Sequence, residues 1–195
     1  MRRAVWLVSF LFIVLALSFS DPLTGFLGIP FGSTKDQVIS AMSAKTTIKP
    51  IIEDDETILY KNMKFAGKDA EAIIFEFYQD YFYSSLVTIV PERNRALETY
   101  YAIKKDYYTK YGAPSWDKEE YSSPFKKGNG YEETALFANK ADINAGWVFD
   151  EKNGIYISLK YNNKKFQCEI YISYIEYKTT NMVLSIENAN NLDDL

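Results

Sequence analysis

Two blocks of alternating polar and apolar residues constrain the fold of this chain more than any other feature of its sequence. The first block has three strand-like segments, at residues 57–66, 69–79 and 82–90. The second covers residues 131–178 and is predicted to form four strands, separated by connections at 139–142, 152–154 and 162–163. Because a period of two residues is typical of strands with one buried face, each block predicts an antiparallel meander.

A helical pattern precedes each block. The first helix is predicted over residues 34–45, where Thr34 and Gln37 have the spacing of a capping box. The second is predicted over residues 92–111, where apolar side chains recur at helical spacing as far as Gly112. An apolar helix face of this kind is expected to pack on a sheet.

The predicted fold class is therefore α+β: one domain over residues 21–178, with antiparallel meander sheets and two main helices packed on one face. Residues 27–90 and 92–178 each have a helix followed by a meander, and a shift of 72 residues lays Phe75 on Trp147. A duplicated helix-plus-meander unit is one interpretation. The alternation that any two meanders share is the other.

Residues 1–20 have the order of a secretory signal peptide: Arg2 and Arg3, then an apolar run, then Ser18 and Ser20 spaced for a signal peptidase. The apolar run is shorter than the roughly 20 residues that a membrane-spanning helix needs, which favours cleavage over an uncleaved anchor. We expect cleavage after Ser20 and a secreted or periplasmic protein with no stable membrane span.

Charge argues against two classes of partner. Without the two arginines of the signal peptide, 20 of the 22 basic residues remain against 26 acidic ones, a net charge of about −6. Nucleic acids and anionic lipid surfaces are bound largely by basic side chains, so neither is an expected partner. Residues 179–195 are acidic and rich in asparagine, and we predict a tail there.

The sequence contains no histidine, which excludes imidazole bases, Ser-His and Cys-His nucleophiles and histidine-containing zinc sites. Cys168 is the only cysteine, so no intramolecular disulfide can form. It shares a predicted strand face with apolar residues, and a buried thiol is expected rather than a reactive one. The acidic run at residues 53–56 lacks the ligand spacing of a calcium loop, so we expect no metal or cofactor.

Residues 27–38 read Leu-Gly-Ile-Pro-Phe-Gly-Ser-Thr-Lys-Asp-Gln-Val and lead into a helix and a meander. This opening resembles that of small exported bacterial α+β domains, the SmpA/OmlA outer-membrane assembly lipoproteins and the β-lactamase-inhibitor-like proteins. The resemblance implies helices packed on antiparallel strands and a function in binding other proteins. The chain departs from those families because it has no lipid-bearing cysteine, no disulfide pairs and no Gly-x-Pro after the first helix.

A long connection at residues 112–130 contains Trp116, Tyr121 and Phe125. Connections of this length in compact domains are usually functional or disordered, and Trp and Tyr often anchor binding surfaces. We therefore predict a ligand-binding loop here. The alternative is that these rings fold back and cover the open end of the sheet.

Tyr78, Tyr81 and Tyr83 form a second candidate ligand-binding group. Because neighbouring residues of a strand face opposite ways, these rings are expected to point away from Phe75 and Phe77. They either form an aromatic shelf for a sugar or a peptide, or they lie beneath the tail.

The expected function is that of a secreted or periplasmic, non-catalytic module that binds a protein or peptide of the cell envelope through these aromatic residues. Two alternatives stay open. One is a histidine-free glycan hydrolase with paired carboxylates from Glu76, Asp80, Glu119 and Glu120. The other is a purely structural component of the envelope.

Overall fold

The computed structural model describes residues 22–149 and 151–193, which form two antiparallel sheets and four helices. The predicted signal peptide lies outside these residues. The small sheet pairs β1 (Gly25–Phe26) with β2 (Ile29–Pro30). The strands of the large sheet are β3 (Ile52–Glu53), β4 (Thr57–Phe65), β5 (Lys68–Tyr78), β6 (Tyr81–Ile89), β7 (Trp116–Tyr121), β8 (Ala141–Phe149), β9 (Asn153–Asn162) and β10 (Gln167–Glu176). The helices are α1 (Lys35–Ser43), α2 (Ala96–Tyr111), α3 (Glu132–Phe137) and α4 (Tyr177–Asp193).

The large sheet has the order β3-β4-β5-β6-β10-β9-β8-β7, and each neighbouring pair is antiparallel. This confirms the α+β class and the antiparallel meanders. The meanders β4-β5-β6 and β8-β9-β10 lie side by side because their last strands, β6 and β10, pair with each other. None of the helices in the described parts of the chain has the length and hydropathy that crossing a bilayer requires.

Register across the sheet aligns a row of buried residues on the face that α2 covers. The row consists of Ala145, Ile157, Ile172, Val87, Ile73 and Tyr60, and none of them is more than 1% exposed. Tyr100, Ile103 and Tyr107 of α2 are buried in the same core. Burial of this apolar layer is the main force that holds the helices on the sheet.

Local hydrogen bonds and backbone dihedral angles determine where α1 and α2 begin. In α1 the hydroxyl of Thr34 accepts from the Gln37 backbone N–H at 3.3 Å, and the Gln37 side chain accepts from the Thr34 N–H at 2.9 Å. The predicted capping box is therefore confirmed. Helix α2 begins at Ala96, four residues later than predicted, because Asn94 has a φ of +64° and cannot continue a helix.

Three segments differ from their predictions. Residues 132–137 form α3 where a strand was expected, and Ala135 and Leu136 of this helix are buried in the core. Residues 116–121 pair with β8 as an edge strand. The predicted tail is helical, because the carboxylate of Glu176 accepts from the backbone N–H groups of residues 178 and 179 and caps the start of α4.

The predicted duplication needs an alignment different from a shift of 72 residues. Counted outward from its centre, the sheet places β6 opposite β10, β5 opposite β9 and β4 opposite β8. The 72-residue shift lays β5 on β8 instead, one strand out of step with this order. The duplication stays a prediction.

Candidate functional site

Trp116, Tyr121 and Phe125 do not share one loop. Trp116 and Tyr121 begin and end β7, and because they are five residues apart they face opposite sides of the sheet. Phe125 lies in the turn after β7 and is half-buried. The expectation of one long loop over residues 112–130 is therefore wrong, because pairing with β8 orders its centre as a strand.

Tyr121 belongs to a polar cluster that joins β7 to α2. Oε1 of Glu119 accepts from the hydroxyls of Tyr101 at 2.7 Å and Tyr121 at 3.0 Å, and Oε2 accepts from Nζ of Lys127 at 2.6 Å. Burial raises the pKa of Glu119, but these donors lower the pKa by more, so the net pKa is below the usual value. A carboxylate held ionised in this way is poorly suited to donate a proton.

The carboxylates considered for a hydrolase are not gathered at one place. Glu119 and Glu120 face opposite sides of β7, whereas Glu76 lies on β5, five strands or about 24 Å away. Oδ1 of Asp80 accepts from the backbone N–H of Lys35 at 2.8 Å and so caps the start of α1. Within the part of the chain that the structure describes, no group of three or more Cys, Asp or Glu residues could hold a metal ion.

Tyr78, Tyr81 and Tyr83 lie at one end of the β5–β6 hairpin. Tyr78 pairs with Tyr81 across the turn, and the Tyr81 ring covers Gly32. Residues 82 and 84 pair with the consecutive residues 77 and 76, which makes Tyr83 the extra residue of a β-bulge. This end of the hairpin is separated from β7 by three intervening strands, so the structure does not bring the two predicted aromatic groups together.

The face of the sheet opposite α2 carries a continuous row of side chains, which we call the outer row. Pairing register places one residue of each strand in it, in the order Trp116, Gly146, Tyr156, Ser173, Leu86, Ile74, Leu59 and Ile52. Apart from Gly146 and Ser173, every member is apolar or aromatic. With strands about 4.8 Å apart, the outer row is about 34 Å long.

The outer row is only partly covered. Trp116 is 39% exposed and Ile52 is 45% exposed, while the side chains between them are mostly half-buried. The Trp116 ring lies over Gly146, where an added Cβ would collide with the ring, and its centroid is 6.1 Å from that of Tyr156. Gly146 therefore leaves room for an aromatic pair at this end of the row.

Helix α4 lies beside the middle of the outer row. It contacts β6 and β10, and the Tyr177 hydroxyl at its start rests over Gly154. Its described side chains are at most half-buried, and Met182, Leu184 and Ile186 are all more than a third exposed. The helix therefore adds apolar surface to this face of the sheet.

A groove of about 670 Å³ opens on the helix side, between the start of α2, the end of α3 and the β9–β10 turn. The rings of Phe137 and Tyr161 meet edge to face at 5.4 Å and form one wall. Cys168 lines the groove and is 6% exposed, and burial, with a smaller contribution from Glu133, raises its pKa to about 11. The thiol is buried, as the sequence predicts.

Phe166 lies at the rim of this groove, and both its exposure and its backbone conformation are unfavourable. Its side chain is 80% exposed, and its φ of +55° lies in the left-handed region that costs a residue with a Cβ roughly 1–2 kcal/mol. Neither packing nor backbone preference accounts for a phenylalanine here. An exposed aromatic ring of this kind is typical of a binding surface.

We expect Phe166→Gly to leave the free energy of unfolding unchanged or to raise it by up to about 1 kcal/mol, because glycine adopts positive φ without strain. Urea denaturation of the variant and the parent measures this. Phe166→Ala is the control, since it removes the ring but keeps the strained backbone, and it should stay within about 0.5 kcal/mol of the parent. A loss above about 1 kcal/mol in both variants would show that the ring stabilises the fold.

Sequence reasoning missed the outer row and the groove. Membership of the outer row depends on the register of strands whose paired residues are up to 91 residues apart in the chain, for which the sequence has no local signal. The groove had weaker signals: an exposed Phe166 after the polar turn at residues 162–165, and Arg93, one of only two arginines beyond residue 3. Comparison with protein-family models, curated proteins and solved structures found no match to this chain.

Proposed function

We propose that this protein is an exported, non-catalytic module that binds another folded protein of the cell envelope with the outer row of its sheet. The observation that carries the proposal is the outer row itself, a half-exposed apolar stripe across eight strands on a face that α1 and α2 leave open. The signal-peptide pattern of residues 1–20 supports export. The resemblance to small exported binding domains agrees with this function.

Shape and surroundings favour a protein as the occupant. A stripe about 34 Å long matches the dimension of a standard protein interface, whereas small ligands need a concave pocket. The neighbouring row on the same face consists of Lys118, Asn144, Ser158, Tyr171, Thr88, Ala72 and Lys61. Because Asn144, Ser158 and Thr88 are buried, its accessible polar members are Lys118, Tyr171 and Lys61, which can serve as the polar rim of such an interface.

The two alternatives have less support. A glycan hydrolase needs a protonated carboxylic acid beside a second carboxylate, and Glu119 is instead held ionised by its three donors. A purely structural component would have no use for a Trp116 ring that is 39% exposed on an open face. We therefore place recognition first.

Partner contact is expected at Trp116. A photoreactive phenylalanine analogue in its place should cross-link one discrete protein in an envelope extract, and the same analogue at Tyr108, 57% exposed on α2, should not. With that protein purified, Trp116→Ala should weaken binding at least about tenfold, as expected for an exposed aromatic anchor. Calorimetric titration measures the affinities.

Tyr108→Ala is the matched control and should bind like the parent. Thermal unfolding of both variants verifies that each is folded. Equal cross-linking from positions 116 and 108, or unchanged affinity in Trp116→Ala, would count against recognition by the outer row.

A further inference from the structure

A pocket of about 330 Å³ lies between the turn of the β1–β2 hairpin, the turn after β4 and the last turns of α2. Its lining includes the buried side chains of Phe26, Tyr107 and Tyr174 and the exposed side chains of Asp106 and Lys110. The pocket therefore leads from solvent to the core. Its volume lies at the lower end of the range for small-molecule sites, which suits a small metabolite.

One tyrosine hydroxyl of this pocket lacks a hydrogen-bond acceptor. The hydroxyl oxygens of Tyr107 and Tyr174 are 2.6 Å apart, and the two residues are only 6% and 7% exposed. Neither hydroxyl has another hydrogen bond within residues 22–149 and 151–193. Two hydroxyls carry two protons, and only one of these protons can lie in the bond between them. The second proton therefore has no acceptor in the described chain, although buried polar groups are almost always paired.

Two opposite charges on α2 line the same pocket. Asp106 and Lys110 are four residues apart, so their side chains lie on one face of the helix. They form no ion pair with each other, and in the described parts of the chain neither side chain has another ion pair or hydrogen bond. The ammonium of Lys110 lies over the Tyr111 ring, 4.8 Å from its centroid. Both charges are therefore available to a ligand.

We propose that this pocket binds a free α-amino acid with an apolar side chain. The α-carboxylate accepts from the unpaired tyrosine hydroxyl and pairs with Lys110, and the α-ammonium pairs with Asp106. The side chain packs against the aromatic rings that line the pocket. This site is separate from the outer row and does not depend on the function proposed for it.

The three polar features select this occupant together. A carboxylic acid without an amine would place a second negative charge beside Asp106. An amine without a carboxylate would leave both Lys110 and the tyrosine proton unpaired. A terminus of a peptide carries only one of the two charges, whereas a free α-amino acid carries both on a single carbon. That arrangement matches two charged side chains one helical turn apart.

The test measures binding of L-leucine, L-methionine and L-phenylalanine to the purified protein by isothermal titration calorimetry. We expect at least one of them to bind with a dissociation constant below about 1 mM. Each is compared with its analogue that lacks the ammonium, such as 3-phenylpropanoate, and its analogue that lacks the carboxylate, such as 2-phenylethylamine. Each analogue should bind at least about tenfold more weakly than the amino acid.

Variants of the two charged residues assign the contacts. Lys110→Gln should weaken the amino acid and the acid roughly tenfold, and the amine should bind as before or more tightly. Asp106→Asn should weaken the amino acid and the amine to a similar degree, and the acid should bind as before or more tightly. Lys105→Gln is the matched control, because it removes one positive charge from an exposed position of α2 that does not line the pocket.

The tyrosine pair is tested by a double variant, Tyr107→Phe with Tyr174→Phe. Removing both hydroxyls together leaves no unpaired polar group at this position, so the fold should be retained, which thermal unfolding verifies. The double variant should weaken the amino acid and the acid about tenfold and leave the amine unchanged.

The proposal is overturned if none of the three amino acids binds below about 1 mM. It is also overturned if the amino acid and its two analogues bind equally, or if Lys110→Gln and Asp106→Asn weaken all the ligands to the same extent. None of these results bears on the outer row, because Trp116→Ala tests that surface alone and should bind the amino acid like the parent.

Discussion

Glu169→Gln should lower the free energy of unfolding at neutral pH by about 2 to 3 kcal/mol. Glu169 is 1% exposed and accepts from Asn162 at 2.9 Å, Gln167 at 2.9 Å, Lys165 at 3.0 Å and the hydroxyl of Tyr171. Burial raises its pKa, but these donors outweigh burial and lower the pKa to about 2. The neutral amide removes the charge that faces Lys165 and replaces one accepting oxygen with a donor, so it cannot accept from all four groups.

The difference between the two proteins should depend on pH. The pKa of Glu169 is about 2 in the folded protein against an ordinary value of 4.5, so the folded state favours the ionised form. Its contribution is complete above about pH 4.5 and is lost as the pH falls towards 2. Urea denaturation at a series of pH values should therefore show the two stabilities converging in acid.

Glu71→Gln is the matched control for this experiment. Glu71 contacts the same Lys165 at 3.1 Å, but the ion pair is partly exposed and should be worth less than about 1 kcal/mol. A gap between parent and Glu169→Gln that stays constant from neutral pH to pH 2 would show that the ionised carboxylate is not the source of stability.

Phe26→Ala should lower the free energy of unfolding by about 3 to 5 kcal/mol, the usual cost of removing a buried aromatic ring. Phe26 lies in the small β1–β2 hairpin, yet its side chain is 1% exposed. Its ring centroid lies 4.8 Å from that of Tyr174 and 5.6 Å from those of Phe65 and Phe75. The hairpin therefore fills the core between β4, β5 and β10.

Chemical denaturation followed by tryptophan fluorescence measures this loss. Phe166→Ala makes the same chemical change at a ring that is 80% exposed, and it should differ from the parent by less than about 0.5 kcal/mol. Similar losses in the two variants would contradict the assignment of Phe26 to the core.

Sequence patterns that span only a few residues account for the parts of the fold that could be predicted. The capping box at Thr34, the strands on either side of Gly67 and the buried environment of Cys168 all follow from local hydrogen bonds or from alternation along one strand. Strand β7 was missed because its sequence, Trp-Asp-Lys-Glu-Glu-Tyr, has little apolar alternation and is ordered by pairing with β8. Helix α3 was missed because it is a single short helix held by burial of Leu136.

The candidate site residues also divide into those that the sequence predicted and those that only strand pairing explains. The sequence singled out Trp116 as an aromatic at a binding surface, and the structure places it at one end of the outer row. It also singled out Tyr121, whose hydroxyl belongs to the Glu119 cluster that joins β7 to α2. Whether Trp116 or Tyr121 faces solvent depends on which side of the strand each residue occupies. Because the sequence did not show that these residues form a strand, it could not separate the two.

The sequence by itself determined the α+β class, the antiparallel meanders, the cap of α1 and the absence of histidine chemistry. Only the tertiary structure decided that β6 pairs with β10, which residues form the outer row, and that β10 extends past β6 to leave the groove. The reason is physical: alternation, turns and caps are interactions among neighbours in the chain. Strand order and register are set by burial of whole sheet faces, to which distant segments contribute together.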